Sequence, residues 1–364
     1  MDLTSLLGRD PIRVDLTNVT PRLAGKRVLI TGGAGSIGRD LAATVASLEP
    51  ERLVLLDRAE SALHLTELGL RKRFPRLALS CHIGDILDRS RVNEVAESCR
   101  AGVVFHAAAY KHVPMMEANP AEAFKNNVLG TRNVAQAAAA AGVERFILIS
   151  TDKAVNPASV MGATKRLAER LLHDVRSGTR FISVRFGNVL GSDGSVVPLF
   201  QEQIAEGGPV TVTHPEMTRY FITPSEAVHL VLQAAFMGTG GEVFWLDSGK
   251  PVRIIDLAHR LIEAAGLRPE LDIPIVITAP RPGEKIHEEF APDAADWMPT
   301  AHATIMRLRS AGRRSGSVLD RLEAAENRLA HLPPGEADAL VRATLTELVP
   351  EFHPASCSDP FIFT

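Results

Sequence analysis

Between Lys26 and Val189 the chain repeats one motif, a short apolar run rich in β-formers followed by a longer segment with helical spacing. RVLIT precedes RDLAATVASL, RLVLLD precedes SALHLTELGLRKRF, ALSCHIGD precedes RVNEVAESC, and VVFHAAA precedes NVLGTRNVAQAAAAAGV. RFILIS, the helical GATKRLAERLLHDV and RFISVRFGNV complete the series. Strands that are apolar along their whole length need cover on both faces, and crossover helices supply it. The expected fold is therefore α/β, a doubly wound parallel sheet of the Rossmann type. The alanine tract at 137–141 lies between NVLGTRN and RFILIS, which makes it a closely packed crossover helix rather than low complexity.

After Val189 the alternation decays and Gly- and Pro-rich loops enter: GSDGS, EGGPVTVTHPEM, APRPGEK. The expected division is an N-terminal extension over 1–24, a dinucleotide-binding domain over 25–189, and a smaller, discontinuous α/β substrate lobe over 190–298. Some strands or helices of that lobe should return to the sheet. It should lie over the C-terminal strand ends, where open α/β sheets bind ligands. Residues 299–364 read as a helical region (SVLDRLEAAENRLAHL, EADALVRATLTELV) with an aperiodic tail.

Hydrophobic residues at 45% and charged residues at 23% are those of a globular chain with a sizeable core. A formal net charge of -3 creates no whole-chain field for nucleic acid or anionic lipid, so any anion must be held locally. Cys81, Cys99 and Cys357 are odd in number and match neither a disulfide framework nor a zinc spacing, which points to a reducing compartment and no metal site. The start has no basic region before an apolar core, and no window reaches ~18 uninterrupted apolar residues. The expectation is a cytoplasmic chain without a membrane segment.

RVLITGGAGSIGRDL puts Gly32, Gly35 and Gly38 at GxxGxxG spacing, after a strand and at the opening of a helix. Glycines there let the backbone, with Ser36 and Ile37, approach a pyrophosphate at the helix N-terminus. Asp57 closes the second strand, where a carboxylate can accept both ribose hydroxyls. Asp85 and Ile86 follow the third strand near the expected adenine, and Ala107, Ala108 and Ala109 end the fourth with small side chains. Asp57 would repel a 2'-phosphate, so NAD is expected over NADP. Arg58 beside it can instead pair with such a phosphate, or be a solvated surface charge.

With GGAGSIG, HAAAYKHVPMME, NNVLGT and ISTDKAVNP followed by MGATKR, the chain resembles the extended short-chain dehydrogenases/reductases. Within them it is similar to the nucleotide-sugar 4,6-dehydratases of bacterial capsule, O-antigen and glycan synthesis, and most to a large, usually membrane-anchored group that makes UDP-4-keto-6-deoxy-N-acetylglucosamine. The likeness runs from LLGRDPIRVDL through RPGEK to LVPEF; AAAYKHVPMMEANP and VTVTHPEMTRYF are its long, specific stretches. The membrane helices that precede LLGRDP in typical members have no counterpart, which suggests an excised catalytic portion or a natural soluble form. His287 stands where the family more often has tyrosine.

The resemblance implies a cycle of hydride transfer from sugar C4 to NAD, loss of the acidified C5 proton with water from C6, and return of the hydride to C6. Most relatives take the 4-hydroxyl proton with the tyrosine of YxxxK. Here that position is Met161, whose thioether does not carry protons, and members of the membrane-anchored group share it. By resemblance Thr151 bonds the 4-hydroxyl and Asp152 protonates the leaving C6 hydroxyl. Lys153 stands where dTDP-glucose dehydratases have a glutamate base, so it should be neutral, and Lys165 holds the nicotinamide ribose. The first deprotonation then falls to Asp152 or to water relayed through Thr151. Tyr110 and Tyr220 are the only tyrosines, and Tyr110 can approach the site or be a packed aromatic beside it.

For the nucleotide sugar, Asn188 is the asparagine the family uses on the diphosphate. The GSDGSV loop offers Ser195 and Val196 N–H groups. Arg219 and Arg281 can pair with phosphates, Glu284 lies in the RPGEK stretch, Glu288 can accept a ribose hydroxyl, and Lys111 and His112 line the sugar pocket. The resemblance implies UDP as nucleotide, retention at C5, and a homodimer or higher oligomer paired through helices at 122–141 and 162–176. Two rival functions share these features: a nucleotide-sugar 4-epimerase, which needs the missing tyrosine, and a non-catalytic protein that binds NAD and a nucleotide sugar.

Overall fold

The computed structural model describes residues 6–12, 14–289, 297–309 and 317–354; Cys357 and the tail from 355 lie outside them. The alternating runs become β1 (Arg27–Thr31), β2 (Arg52–Asp57), β3 (Leu79–Ile83), β4 (Val103–His106), β5 (Arg145–Ile149) and β6 (Arg180–Arg185). All six are parallel, in the order β3-β2-β1-β4-β5-β6. The chain order turns back between β1 and β4, and it is at such a switch point that a doubly wound sheet opens a crevice. In register, Leu29 of β1 faces Val54 of β2 and Val104 of β4.

The strand Glu242–Leu246 pairs parallel with β6. A hairpin of Trp297–Pro299 and Ile305–Leu308 then extends the sheet antiparallel. Ile305–Leu308 lies in the stretch read as helical, and it is a strand because Leu246 and its neighbours offer an unpaired edge that four apolar-rich residues can satisfy. The rest of that stretch forms the helices Val318–Leu329 and Pro334–Leu348.

One face of the sheet is covered by helices Ser36–Ser47, Glu60–Arg73 and Pro224–Met237, through Leu41, Val45, Leu63, Leu70, Val228 and Val231. Arg89–Cys99, Thr131–Ala140 and Val160–Leu171 cover the other. Onto that second group the two C-terminal helices pack Leu322, Val341 and Leu345. They are tied down by Asp338, which accepts the Ala121 N–H (3.1 Å), by Asp174 on the Val318 N–H (2.6 Å) and by Arg166 on Glu351 (2.6 Å). The C-terminal helices thus supply part of the cover on this face of the sheet. The apolar stripes of the covered helices announce a need for cover but not its source.

The lobe has its own core, Leu190, Val197, Phe200, Val212, Leu257 and Leu261 among it. Residues assigned to an N-terminal extension run from this lobe to the sheet: Leu6 and Leu7 lie in the lobe core, and Val19 and Leu23 in the sheet core. Between them, Arg9 bonds both Glu226 oxygens at 2.8 Å. Glu226 also closes a capping box with Thr223, the TPSE signature of a helix start.

Candidate active site

The glycine loop is shaped by contacts only glycine permits. Gly32 has φ +72°, and a Cβ on it would lie 2.5 Å from the Ala108 nitrogen; on Gly38 it would lie 1.9 Å from the Gly32 oxygen. Ala107 and Ala108 therefore back directly onto the loop, with the Ala107 N–H donating to the Thr31 carbonyl (3.0 Å), and Ala109 follows at the strand end. Gly35 caps the Ser36–Ser47 helix without a side-chain bond, so its opening N–H groups are left for an anion. Asp57 braces the loop, accepting the N–H groups of Ala34 and Ala59, each at 2.9 Å. A tight glycine cradle, an uncapped helix start and a carboxylate at the second strand end fit a dinucleotide.

Around this crevice some expected contacts are already engaged. Arg58 lies with Cζ 4.6 Å from the Tyr110 ring centre and with Nη1 3.5 Å from Asp85 Oδ2. Ile86 is buried against Gly130, where a Cβ would meet it at 2.5 Å. Ser36 Oγ donates to Asp193 (2.8 Å), and Ile37 packs toward the sheet core. His106 is fully buried between Thr31 (2.6 Å) and Thr131 (2.9 Å). The Thr131 hydroxyl already donates to the Asn127 carbonyl, so His106 Nε2 must be the donor to Thr131, and Nδ1 accepts from Thr31. Burial and the nearby Lys165 charge push its pKa down to about 3, so the ring is a neutral brace.

At the C-terminal end of β5, Asp152 is fully buried. Its Oδ1 accepts from Thr151 Oγ1 (2.8 Å), the Lys153 N–H (2.9 Å) and Lys153 Nζ (2.9 Å). Its Oδ2 is buried without a partner. Lys153 Nζ also meets Asn188 Oδ1 at 3.0 Å and Glu288 at 3.6 Å. Burial disfavours its charge, yet the Asp152 and Glu288 carboxylates prevail and raise its pKa. The ammonium form is therefore held, contrary to the expectation of a neutral base, because the Asp152 carboxylate at 2.9 Å and Glu288 at 3.6 Å outweigh burial.

The Val160–Leu171 helix lies against this turn because Gly162 has no Cβ; one would lie 2.2 Å from the Lys153 carbonyl oxygen. Met161 is buried in the core below. Lys165 Nζ donates to the Ile149 carbonyl (2.7 Å), and burial pushes its pKa down to about 8, against the pull of Glu169 one turn on. Glu169 is itself fixed by Arg185 (2.7 and 2.5 Å) and Ser150 (2.6 Å).

The predicted sugar-nucleotide residues fall into two groups. Asn188, Arg219 and Glu288 join the Lys153 cluster, with Arg219 Nε 3.8 Å from Glu288 and its Nη1 on the carbonyls of Thr218 and Ile286. Glu288 thus stands 3.6 Å from Lys153 Nζ. Lys111 and His112 sit with Gly194, whose missing Cβ would be 2.7 Å from the His112 ring. Burial, with the charges of Lys111 and Arg281, lowers the His112 pKa. Arg281 is held by Glu284 (3.0 and 2.7 Å). Ser195 caps the Val196–Ala205 helix by position only, its buried Oγ unpartnered.

A model of a family described as "Polysaccharide biosynthesis protein" matches residues 28–310. The chain belongs to this family. Its sheet and glycine loop are those of the extended short-chain dehydrogenases/reductases. It is 50% identical over 294 residues to the capsular polysaccharide biosynthesis protein CapD of Staphylococcus aureus, covering 80% of this chain and 49% of that one. The chain thus spans about half the length of that relative. It is 36% identical over 271 residues to a UDP-N-acetylglucosamine 4,6-dehydratase (inverting) of Campylobacter jejuni, covering 72% and 77%. It is also 38% identical over 243 residues to a UDP-glucose 4-epimerase of Rickettsia massiliae, covering 65% and 70%.

Four site residues of this family member escaped the sequence reading: Gly162, Glu169, Asp193 and Asn127. Asn127 bonds the Tyr110 backbone N–H and carbonyl (2.8 and 3.0 Å) from a π-helical turn over Lys125–Gly130. Only Gly162 left a usable signal, a glycine inside a helical pattern where alanine is the better helix former. Among the described residues no helix is long and apolar enough to cross a membrane.

Proposed function

We propose that the chain carries out NAD-dependent dehydration of a UDP-N-acetylhexosamine, UDP-N-acetylglucosamine foremost, to the UDP-4-keto-6-deoxy sugar. The observation that carries this is Asp152: a fully buried carboxylate with Oδ1 held by Thr151 and Lys153 and Oδ2 unpartnered. A buried polar atom left unpaired is costly, and a sugar hydroxyl at Oδ2 removes that cost. A module that only binds has no need of an acid and a base side by side.

NAD held by the Gly32–Gly38 loop and Asp57 would supply the hydride chemistry of the cycle, with no outside reductant needed. Asp57 at the second strand end, with Arg58 engaged by Asp85 and Tyr110, supports NAD over NADP. Lys153 and Asp152 share a proton across 2.9 Å. Moving it from Nζ to Oδ1 when substrate is bound converts the ion pair into a neutral amine and a neutral acid. These are the base for the C5 proton and the acid for the departing C6 hydroxyl. Lys153 then gives its proton back to C5. The 4-hydroxyl proton leaves through Thr151 to solvent, and one proton from solvent restores Asp152, so the net change is loss of one water.

Asn188, the Ser195–Val196 helix start, Lys111, His112 and Arg281 would hold the diphosphate and sugar. Incubation with UDP-N-acetylglucosamine followed by mass measurement tests the reading, with loss of one water expected. An isobaric isomer would mean the 4-epimerase, and unchanged substrate a binding protein. Proton coupling in the product's NMR spectrum reads the C5 configuration, where retention is expected.

A further inference from the structure

Lys165 is buried, and its Nζ, which carries three donors as an ammonium, has one partner among the described residues, the Ile149 carbonyl (2.7 Å). The peptide that offers this carbonyl joins Ile149, the last residue of β5, to Ser150. Ser150 is fixed twice: its N–H donates to the Val184 carbonyl of β6 (2.7 Å), and its Oγ donates to Glu169 (2.6 Å).

Glu169 lies one turn beyond Lys165 on the same helix and is fully buried. It also accepts from Arg185 at the end of β6, through Nε at 2.7 Å and Nη2 at 2.5 Å. One carboxylate thus ties the ends of β5 and β6 to the helix that carries Lys165, directly before the Thr151–Lys153 turn. Arg166 at 3.2 Å completes its surroundings and is held in turn by Glu351 (2.6 Å). Burial opposes the charge of Glu169, yet Arg185 and Arg166 prevail and hold its carboxyl below the usual range, so it stays ionised. The other charges around Lys165 are paired or absent: Asp152 with Lys153 (2.9 Å), Glu351 with Arg166, and a buried His106 that is neutral. A buried ion cluster adds little stability over well-packed apolar groups of the same volume. Its place between two strand ends and the cofactor lysine gives it a different use.

We infer that Glu169 is a positioning residue for Lys165: through Ser150 it fixes the peptide whose carbonyl orients the ammonium, and its negative charge one turn away keeps that ammonium ready to bond the nicotinamide ribose. The inference rests on the NAD part of the reading above. It goes further by placing control of Lys165 in a residue that touches neither cofactor nor sugar.

NMR of isotope-labelled lysine Cε titrates the Lys165 amine directly, its signal assigned by loss in Lys165→Met. The amine should titrate at about 8 in wild type and at lower pH in Glu169→Gln; equal midpoints overturn the inference. Release of labelled NAD from the loaded protein is the second readout. It should quicken as pH rises through the Lys165 midpoint, because a neutral amine is a weaker donor than an ammonium, and this rise should move toward acid in Glu169→Gln. Ser150→Ala keeps the carboxylate and both arginines, and so decides the matter even if Glu169→Gln does not fold. It should speed NAD release about three- to tenfold, the scale of one hydrogen bond, with the Lys165 midpoint unmoved. Unchanged release in Ser150→Ala overturns the positioning role. Release that ignores pH in wild type would refute Lys165 as the ribose partner and with it the NAD reading, while the NMR midpoints would still decide whether Glu169 governs the lysine.

Discussion

The cofactor crevice is shaped mainly by the stretch from Gly32 to Asp57, with Ala107 and Ala108 behind it, whereas the cluster around Asp152 draws on residues 151–165, 186–188, 218–219 and 288. The crevice is built of backbone: glycines that let chain touch chain, and a helix start with free N–H groups. The cluster is built of charge, and Lys153 takes part of its character from Glu288, far away in sequence. Damage to the crevice should therefore be steric and nearly complete, while damage to the cluster should be graded and visible in pH dependence.

The largest effect expected on the crevice side is that of Gly38→Ala. Its Cβ would sit 1.9 Å from the Gly32 oxygen, a backbone atom that cannot swing aside. The strand–turn–helix must open, and the protein should lose both cooperative melting and bound NAD. Gly35→Ala is the paired control: the nearest atom to its Cβ is 3.4 Å away and its φ of -73° suits any residue. It should melt like wild type. Equal melting of the two variants, read by thermal denaturation with assay of retained nucleotide, would break the steric half of the comparison.

This difference also explains what could be read in advance. The parallel sheet, the glycine loop and Asp57 follow from local pattern, since strand period and glycine spacing are set by neighbours in sequence. The identities of Thr151, Asp152 and Lys153 were equally plain in TDK, but the charge of Lys153 was not, because Glu288 reaches it from a different segment. For the same reason the source of the cover on helix Val160–Leu171 is not legible in its own stripe. Leu322, Val341 and Leu345 sit beyond 300 in sequence, and an amphipathic face does not name its partner.

Glu288→Gln tests the charged half directly. Glu288 is one of two carboxylates that raise the Lys153 pKa. Removing its charge should let that pKa fall, so the neutral amine is reached at lower pH. The rising limb of the pH–rate profile, followed as deuterium exchange at C5, should move toward acid, with turnover changed less than the ~10²–10⁴-fold expected for loss of a positioned acid or base. An unmoved limb would mean that Asp152 alone sets the state of Lys153.

The smallest expected effect lies where the two regions meet. Asp193, on the loop before the Val196–Ala205 helix, accepts from Ser36 Oγ (2.8 Å) and Arg39 (3.0 Å), and its own N–H donates back to Ser36 (3.1 Å). This joins the substrate loop to the first turn of the cofactor helix across more than a hundred residues of sequence. Both charges are largely exposed, so solvent screens the pair and it is worth on the order of 0.2–1 kcal/mol. Asp193→Ala should therefore leave turnover near wild type while speeding exchange of bound NAD about two- to fivefold, and added salt should produce part of the same effect in wild type. Exchange measured by displacement of labelled NAD distinguishes the cases. An unaltered rate would mean that the crevice holds its cofactor by backbone alone, and that the local and the assembled halves of the site are coupled only through the substrate.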